Sequence, residues 1–442
     1  MDQKASFVSL ALGGTERMRA VDCDVRARAA ALPLLLRGAY YTGEEKWRAL
    51  AEEDLRALWR GGVHDHIGGG FFSASFDREW LRPSFEKRLD DNAVLAFLFA
   101  EAWEKGRMGF YRAAAEEALD FCLRDLADPS GLYRAGLRAA EGEENPFLFK
   151  SAQIAEILGD EAGRHFAECY DITDEDNCPG GSIPNLILNQ RWSLVPEGYD
   201  DLRERVRLAR EARGGILTDP RTPFDANALL LAALARAARV FSDRRYLAAA
   251  EELAARLAAE EEPCPREALL FALTELYAAD FDPAHIAAAA AIGKALDAPG
   301  YRSGGKPSPG RDRALSLAAL GFETLWRLTG GEDWRMKCAA VLRELSLHPE
   351  EHGPEALAAL CAEPPLAGAG RALLCACPDE EPPAALRALT ARYAPDLTLL
   401  LKTPTRAAAL TAAAPWTADA AIGDKTLFYP FRGGSAGGPI GL

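Results

Sequence analysis

One short stretch of this chain concentrates residue types that can do chemistry. Residues 61–70 read Gly-Gly-Val-His-Asp-His-Ile-Gly-Gly-Gly, and similar residue types continue as far as Asn92. The stretch holds two of the six histidines of the chain, and histidine can act as an acid or a base near neutral pH. Asp77, Glu86 and Asp91 supply carboxylates for the same work. We therefore expect an active site in this segment.

The candidate catalytic residues are the histidines and three carboxylates of this stretch: His64, His66, Asp77, Glu86 and Asp91. If the backbone is extended there, both imidazoles face one way and the carboxylate of Asp65 faces the other. The three consecutive glycines allow backbone conformations that are closed to other residues, and they would let a ligand approach closely.

Aromatic side chains in the same stretch add a second kind of contact. Phe72, Trp80 and Phe85 could form a wall beside the carboxylates, with Asp65 as a further polar contact. Aromatic faces next to carboxylates are typical of carbohydrate sites, because sugar C–H faces stack on rings and hydroxyls bind to carboxylates.

A purely structural interpretation of the stretch stays open. A glycine-rich loop is often a tight turn. Glu86 and Lys87 could be the first-turn pair of a helix, with Asp90, Asp91 and Asn92 on its solvated side.

Composition excludes several classes of function. The net charge is −15 and there is no basic stripe, so nucleic acid is not expected as a partner. No apolar run approaches the ~20 residues needed to span a bilayer, and the first residues do not resemble a secretion signal.

The nine cysteines are scattered without Cys-x-x-Cys, which predicts buried thiols in a reducing cytoplasm rather than a zinc site. We expect no metal and no cofactor.

The rest of the chain must position this segment, and helical periodicity dominates it from about residue 22 to about residue 350. Helices come in pairs joined by short turns. The stretch 226–235 is apolar nearly all round, as an inner helix would be, whereas 244–262 is amphipathic, as an outer helix would be. This pattern predicts an (α/α)6 toroid of helical hairpins. An open solenoid of helix pairs would look similar, but no repeat of fixed length is present.

The last part of the chain has a different pattern. Short apolar runs and one helical segment follow one another at 371–377, 384–393, 396–402 and 425–431. Strand, helix and strand in this order predict a small α/β appendage. The predicted divisions are an N-terminal lead-in, the barrel and the appendage with its tail: 1–20, 21–350 and 351–442.

The motif also carries a resemblance. The pattern GGVHDHIGGGF, followed by DREW, FEK and DNA, resembles the signature of the thioredoxin-domain-containing proteins of the spermatogenesis-associated protein 20 type. Their layout is a thioredoxin-like domain followed by a six-hairpin toroid of the kind shared with N-acylglucosamine 2-epimerases and six-hairpin glycosidases. The resemblance implies the toroid part for this chain. It adds Lys87, Asn92 and Asn227 to the candidate ligand-binding set, which also includes Arg82.

Departures from the family pattern are as informative as the matches. This sequence has no thioredoxin-like domain, so the resemblance does not imply dithiol chemistry. Phe72, Ser73 and Ala74 stand where the family has His, Arg and Tyr, and Ser84 stands where it has His. The pocket thus keeps its frame and lacks several large polar groups, which fits a changed ligand or a barrel that binds without turnover.

Three functions remain as alternatives. The first is a carbohydrate-active enzyme, or a divergent relic of one, with a sugar-like ligand at the loop end of the barrel. The second is a non-catalytic scaffold or a partner of a separate thioredoxin-like protein. The third is a module that senses a small metabolite. One fold can host many functions, so fold alone does not decide between them.

Overall fold

Helices dominate the chain, as the spacing of its apolar residues predicts. The structure, a computed structural model, describes residues 24–142, 144–189, 198–260, 266–296, 308–347, 352–432 and 435–440. The helices of this part are α1 (Val25–Thr42), α2 (Glu45–Arg60), α3 (Leu89–Gly106), α4 (Gly109–Asp125), α5 (Ser151–Leu158), α6 (Asp160–Cys169), α7 (Tyr199–Arg213), α8 (Phe224–Phe241), α9 (Arg244–Ala258), α10 (Glu267–Asp280), α11 (Pro283–Ala295), α12 (Pro309–Thr329), α13 (Glu332–Leu347), α14 (Ala384–Thr390) and α15 (Ala407–Ala413). Two small β-sheets accompany them. The predicted fold class, an all-α chain of helical hairpins with a small C-terminal α/β appendage, is confirmed.

Short turns join consecutive helices into hairpins. A single residue in the left-handed conformation ends the first helix of three of them: Arg107 (φ 53°) after α3, Phe281 (φ 59°) after α10 and Gly330 (φ 71°) after α12. Each donates its amide to the carbonyl four residues earlier, which satisfies a helix-end acceptor and reverses the chain. The paired helices then pack together, α3 on α4, α10 on α11 and α12 on α13.

The predicted contrast between an inner and an outer helix is confirmed. Every residue of 226–235 in α8 is at most 6% exposed. In α9 the buried residues form one stripe, which includes Tyr246, Ala250, Leu253 and Leu257. A stripe at spacings of three and four is the face that an amphipathic helix turns toward a core.

The first sheet has no counterpart in the sequence-based prediction. Its strands are antiparallel, in the order β1 (Glu86–Arg88), β2 (Gly136–Ala139) and β3 (Ile216–Asp219). Strands of three or four residues are too short to show a clear alternation. Glu86 and Lys87 therefore belong to a strand and not to a helical first turn. Asp90, Asp91 and Asn92 do open α3, but they are buried and not solvated.

The second sheet agrees closely with the predicted appendage. It contains β4 (Arg371–Ala376), β5 (Leu397–Lys402), β6 (Leu427–Arg432) and β7 (Ser435–Ala436). The strand order is β5-β4-β6-β7, with β4 parallel to β5 and antiparallel to β6. The helix α14 lies between β4 and β5 in the chain, so this part is a strand-helix-strand unit, as predicted.

The described residues separate into two compact units. One contains residues 24–29 and 49–230, and the other contains 30–48 and 231–440. Within the second unit, β4 and β5 pack on α12. The predicted lead-in, residues 1–20, lies outside the described residues. In the described part no helix is both long and apolar enough to cross a bilayer.

We predict that the appendage and α12 unfold together. Leu374 is fully buried in β4, so Leu374→Ala should lower the free energy of unfolding by about 2–5 kcal/mol. Because β4 packs on α12, amides of α12 should lose hydrogen-exchange protection together with those of the sheet. Urea unfolding and native-state hydrogen exchange measure both effects. Loss of protection in the sheet alone would instead indicate a separately folding domain over 351–442.

Candidate functional site

Residues 61–70, which open the signature segment (residues 61–92), form a compact loop folded around the carboxylate of Asp65. Asp65 accepts hydrogen bonds from the amides of Ile67 (3.1 Å) and Gly68 (3.0 Å). Its own amide donates to the carbonyl of Gly70 at 2.9 Å, and the amide of Gly69 donates back to the carbonyl of Asp65 at 2.8 Å. Residues 65–70 thus form a tight turn closed by both backbone and side chain.

Two buried cations neutralise this carboxylate. Lys87 of β1 forms an ion pair with Asp65, and Arg210 of α7 reaches both carboxylate oxygens at 2.8 and 3.0 Å. All three residues are at most 3% exposed. Burial by itself would raise the pKa of Asp65, but Arg210 and Lys87 hold it well below its usual range. The loop is therefore tied to a strand and to a helix by buried charge.

The surroundings of Lys87 are apolar apart from these partners. Its ammonium group donates to the carbonyl of Gly69 at 2.7 Å and lies 4.5 Å from the ring centre of Phe121. Burial lowers the pKa of Lys87 to about 8, although Asp65 raises it. The lysine that sequence analysis assigned to a ligand is thus an internal counterion.

Close packing against α4 explains why positions 69 and 70 are glycines. A Cβ on Gly69 would lie 2.6 Å from the carbonyl oxygen of Glu117, and one on Gly70 would lie 2.6 Å from the ring of Phe121. Gly69 and Gly70 also have positive φ (74° and 77°), which disfavours residues with a side chain. The close approach that the glycines were expected to offer a ligand is used by the helix α4.

The two histidines lie side by side, as their spacing predicts, but inside the protein. Their ring centres are 4.5 Å apart and both are at most 1% exposed. Nε2 of His64 lies 3.0 Å from the carboxylate of Glu117, which also pairs with Arg203. Burial, and then His64, lower the pKa of His66 to about 3. His66 is therefore neutral near pH 7 and is not poised to exchange a proton there.

The three candidate carboxylates are in three different environments. Asp77 accepts hydrogen bonds from the amides of Leu81 (2.9 Å) and Arg82 (3.0 Å) and closes the turn between them. Glu86 is exposed on β1. Asp91 is 3% exposed and accepts a hydrogen bond from Nε of Arg26 at 2.9 Å. The structure does not bring them together.

Two candidate amides are fully buried and act as backbone clamps. The Oδ1 atom of Asn92 accepts a hydrogen bond from the amide of Phe71 (2.6 Å), while Nδ2 donates to its carbonyl (3.0 Å). Asn227 does the same with Tyr133, at 2.7 and 2.9 Å. Each asparagine thereby satisfies a buried peptide group that has no helical or strand partner.

The candidate aromatic wall is mostly internal. Phe72 is fully buried and packs edge-on against Phe147 (5.0 Å) and against Phe85 (5.8 Å). Trp80 is 4% exposed, and the guanidinium of Arg28 lies over its ring at 5.4 Å. These rings are core groups, so no face of Phe72 or Trp80 is open for a sugar to stack on.

An open cleft lies beside the signature segment, and only two of the candidate residues reach it. The cleft has a volume of about 550 Å³ and is lined by Asp77, Glu79, Leu81, Arg82, Glu175, Asp176, Asn177, Cys178, Pro179 and Gly180. Asp77 and Arg82 were expected from the sequence. Glu79, Glu175 and Asp176 were not, although the turn signal Asn177-Cys178-Pro179-Gly180-Gly181 marks one wall.

The two walls of the cleft are held rigidly, yet two of its carboxylates are free. Asp77 pairs with Arg82 at 2.9 Å. Asn177 accepts from the amide of Ile183 at 2.8 Å. Glu79 and Glu175 are exposed and take part in none of the ion pairs or hydrogen bonds formed by the described side chains. Across the described ranges, no three His, Cys, Asp or Glu side chains are grouped so as to hold a metal ion.

We predict that Gly69→Ala destabilises the protein more than Gly43→Ala. Both glycines have φ near 70°, but nothing lies within 4 Å of a Cβ on Gly43, whereas one on Gly69 meets the Glu117 carbonyl. Gly43→Ala should cost about 1–2 kcal/mol for its backbone conformation alone. Gly69→Ala should cost about 1–3 kcal/mol more, because a helix must shift. Chemical denaturation measures both, and equal losses would contradict the close packing.

We also predict a stability change with pH that depends on Asp91. Burial, and then the neighbouring Asp90, raise the pKa of Asp91 from 3.8 to about 6. The folded protein therefore holds this proton more tightly than the unfolded chain, so the contribution to stability is full below about pH 4 and is lost as the pH rises through about 6. Asp91→Asn should lose less stability than wild type between these pH values. Glu86→Gln, an exposed control, should follow wild type, and parallel curves for all three proteins would contradict the assignment.

Comparison with known sequences supports the resemblance carried by the motif. No protein-family model matches the chain. Over 97 residues the chain is 36% identical to human spermatogenesis-associated protein 20 and 35% identical to the mouse protein, which is 22% of this chain and 12% of each relative. Over 240 residues it is 22% identical to an uncharacterized protein of Caenorhabditis elegans, or 46% of this chain and 33% of that protein.

Comparison with solved structures returns proteins whose names describe carbohydrate-active enzymes. The cellobiose 2-epimerase of Spirochaeta thermophila has a TM-score of 0.48 and 13% identity, over 77% of this chain and 84% of that one. A family 76 glycoside hydrolase (mannosidase) of Bacteroides thetaiotaomicron has a TM-score of 0.36 and 12% identity, over 57% and 54%. The chain spans about an eighth of the length of the spermatogenesis-associated protein 20 sequences, and it is similar to them over that part.

Proposed function

We propose that this chain is a divergent relic of a carbohydrate-active enzyme, which binds a sugar-like ligand in the cleft and does not turn it over with its signature residues. One observation carries the proposal. The cleft presents the free carboxylates of Glu79 and Glu175, while His64, His66 and Asp91 are buried. Of the predicted catalytic residues, only Asp77 lines the cleft.

The chemistry of the cleft suits a neutral polyhydroxylated ligand. Exposed carboxylates accept hydrogen bonds from sugar hydroxyls, and the guanidinium of Arg82 can donate to ring and hydroxyl oxygens. Internal hydrogen bonds of Asp77 and Asn177 fix both walls before any ligand arrives. A site that is already ordered loses less conformational entropy on binding.

The predicted carboxylates do not share the cleft, so we do not expect them to carry out glycoside hydrolysis together. A retaining enzyme holds two carboxyl groups about 5 Å apart across the reacting bond, and an inverting one holds them about 6.5–9.5 Å apart. Asp91 has the raised pKa of an acid catalyst, but it is buried against Arg26. Glu86 and Asp91 do not line the cleft, so neither can face Asp77 across a bound sugar there.

The names of the structural neighbours describe a cellobiose epimerase and a mannosidase, so cellobiose and mannose are sensible first ligands. A non-catalytic scaffold, or a partner of a separate thioredoxin-like protein, does not need a ligand in the cleft. That alternative therefore predicts no sugar binding at all.

The cysteines fit a reducing location. No disulfide joins the described cysteines, and all of them are buried: Cys122, Cys169, Cys178, Cys338, Cys361, Cys375 and Cys377. Secreted proteins usually pair such residues as disulfides. We therefore propose the cytoplasm as the place where the protein works.

The proposal is tested by sugar binding and turnover together. Cellobiose, mannose and N-acetylglucosamine are titrated by calorimetry, and hydrolysis and epimerisation are followed by NMR. We expect at least one sugar to bind, with no turnover. Glu175→Gln and Glu79→Gln should each weaken binding by about tenfold, because each removes a charge-assisted hydrogen bond.

Glu86→Gln is the matched control, because it removes an exposed glutamate outside the cleft. It should bind like wild type. Binding that survives both cleft substitutions would contradict the site. If the protein turns over a sugar and Asp91→Asn abolishes that turnover, the result would contradict the relic and support an active enzyme. Failure of every sugar to bind would favour the scaffold.

A further inference from the structure

One face of α2 forms the wall of a second cavity, and none of its residues has been given a role above. The cavity has a volume of about 420 Å³ and is lined by Ala49, Glu52, Glu53, Arg56, Ala57 and Arg60. Their spacing of three and four residues places them on a single helical face. The lining includes two small alanines and two arginines that are one helical turn apart.

These two arginines have no carboxylate partner. The guanidinium of Arg56 lies 5.3 Å from the ring centre of Phe110 and 4.0 Å from the sulfur of Met108. Nε of Arg60 is buried without a hydrogen-bond partner. Neither side chain takes part in any ion pair of the described residues. In a chain with a net charge of −15, an unpaired pair of arginines is unexpected.

The two guanidinium groups are unfavourably placed with respect to each other, although Glu52 and Glu53 lie one turn before Arg56 on the same face. Like charges at i and i+4 repel, and a buried donor without an acceptor keeps its full desolvation cost. Burial, and then the charge of Arg56, lower the pKa of Arg60. Both costs would be relieved by an oxyanion bound between the two guanidinium groups, since guanidinium binds such groups through paired hydrogen bonds.

We propose that this cavity binds a small hydroxylated molecule through a single anionic group, a phosphate or a carboxylate, held between Arg56 and Arg60. Glu52 and Glu53 line the same wall. Both carboxylates repel a polyanion, and the exposed carboxylate of Glu53 can accept hydrogen bonds from hydroxyls, so this wall selects a ligand that is anionic at one end only. The site is separate from the cleft and does not depend on the function proposed for it.

Three probes test the proposal on the full chain. Glucose 6-phosphate carries the phosphate, gluconate carries the carboxylate, and glucose is the neutral reference. Calorimetry should show saturable binding of at least one of the two anions, and the tighter one identifies the anionic group. Arg56→Met and Arg60→Met should each weaken that binding by about tenfold or more. They should leave any binding of glucose unchanged.

Arg164→Met is the matched control, because Arg164 is an exposed arginine on α6. It should bind both anions like wild type. In anion-free buffer Arg60→Met should keep or raise the melting temperature, since it removes a repelled charge and a buried Nε donor that has no acceptor. Absence of saturable anion binding, or binding that both arginine substitutions leave intact, would overturn the proposal.

Loss of sugar binding in the cleft can be distinguished from loss of anion binding at α2. Glu175→Gln should weaken sugar binding in the cleft without changing the binding of glucose 6-phosphate to α2. Anion binding that disappears in Glu175→Gln and persists in Arg60→Met would assign the anion to the cleft, and the proposed site would be rejected.

Discussion

The buried carboxylate of Asp65 is the interaction on which the signature segment depends. It lies inside the protein with Lys87 and Arg210 as counterions, and it also accepts two amides of its own turn. A charge buried in this way is tolerated only while its partners stay in place. The turn, the strand β1 and the helix α7 are therefore fixed relative to one another by one ionised group, and the glycines allow α4 to close over them.

The histidines, asparagines and aromatic rings of the segment have structural roles similar to that of Asp65. His64 faces Glu117, and Asn92 clamps the peptide group of Phe71. Residue types that often do chemistry serve here to satisfy buried polar groups, which a long irregular loop has in excess. In this protein the motif residues hold the buried parts of the loop together through these contacts.

The surfaces that remain available for ligands differ in charge. The cleft offers the unpaired carboxylates of Glu79 and Glu175, whereas the wall of α2 offers the unpaired guanidiniums of Arg56 and Arg60. Most charged residues of the described part that lie in the interior are paired, because an unpaired buried charge is costly. Of these unpaired groups only Glu79 belongs to the quoted motif, so the motif alone does not identify the groups that line the two cavities.

The sequence by itself determined the helices, the hairpins and the strands β4 to β6, because periodicity is a relation between near neighbours in the chain. It also singled out the segment from Gly61 to Asn92 by residue type. It did not determine the short first sheet, whose strands carry too few residues for a pattern. Only the tertiary structure decided what the special residues do, since Asp65 meets Arg210 across 145 positions. Burial and counterions turn a carboxylate into a structural anchor or a catalyst, and both are set by residues that are distant in sequence.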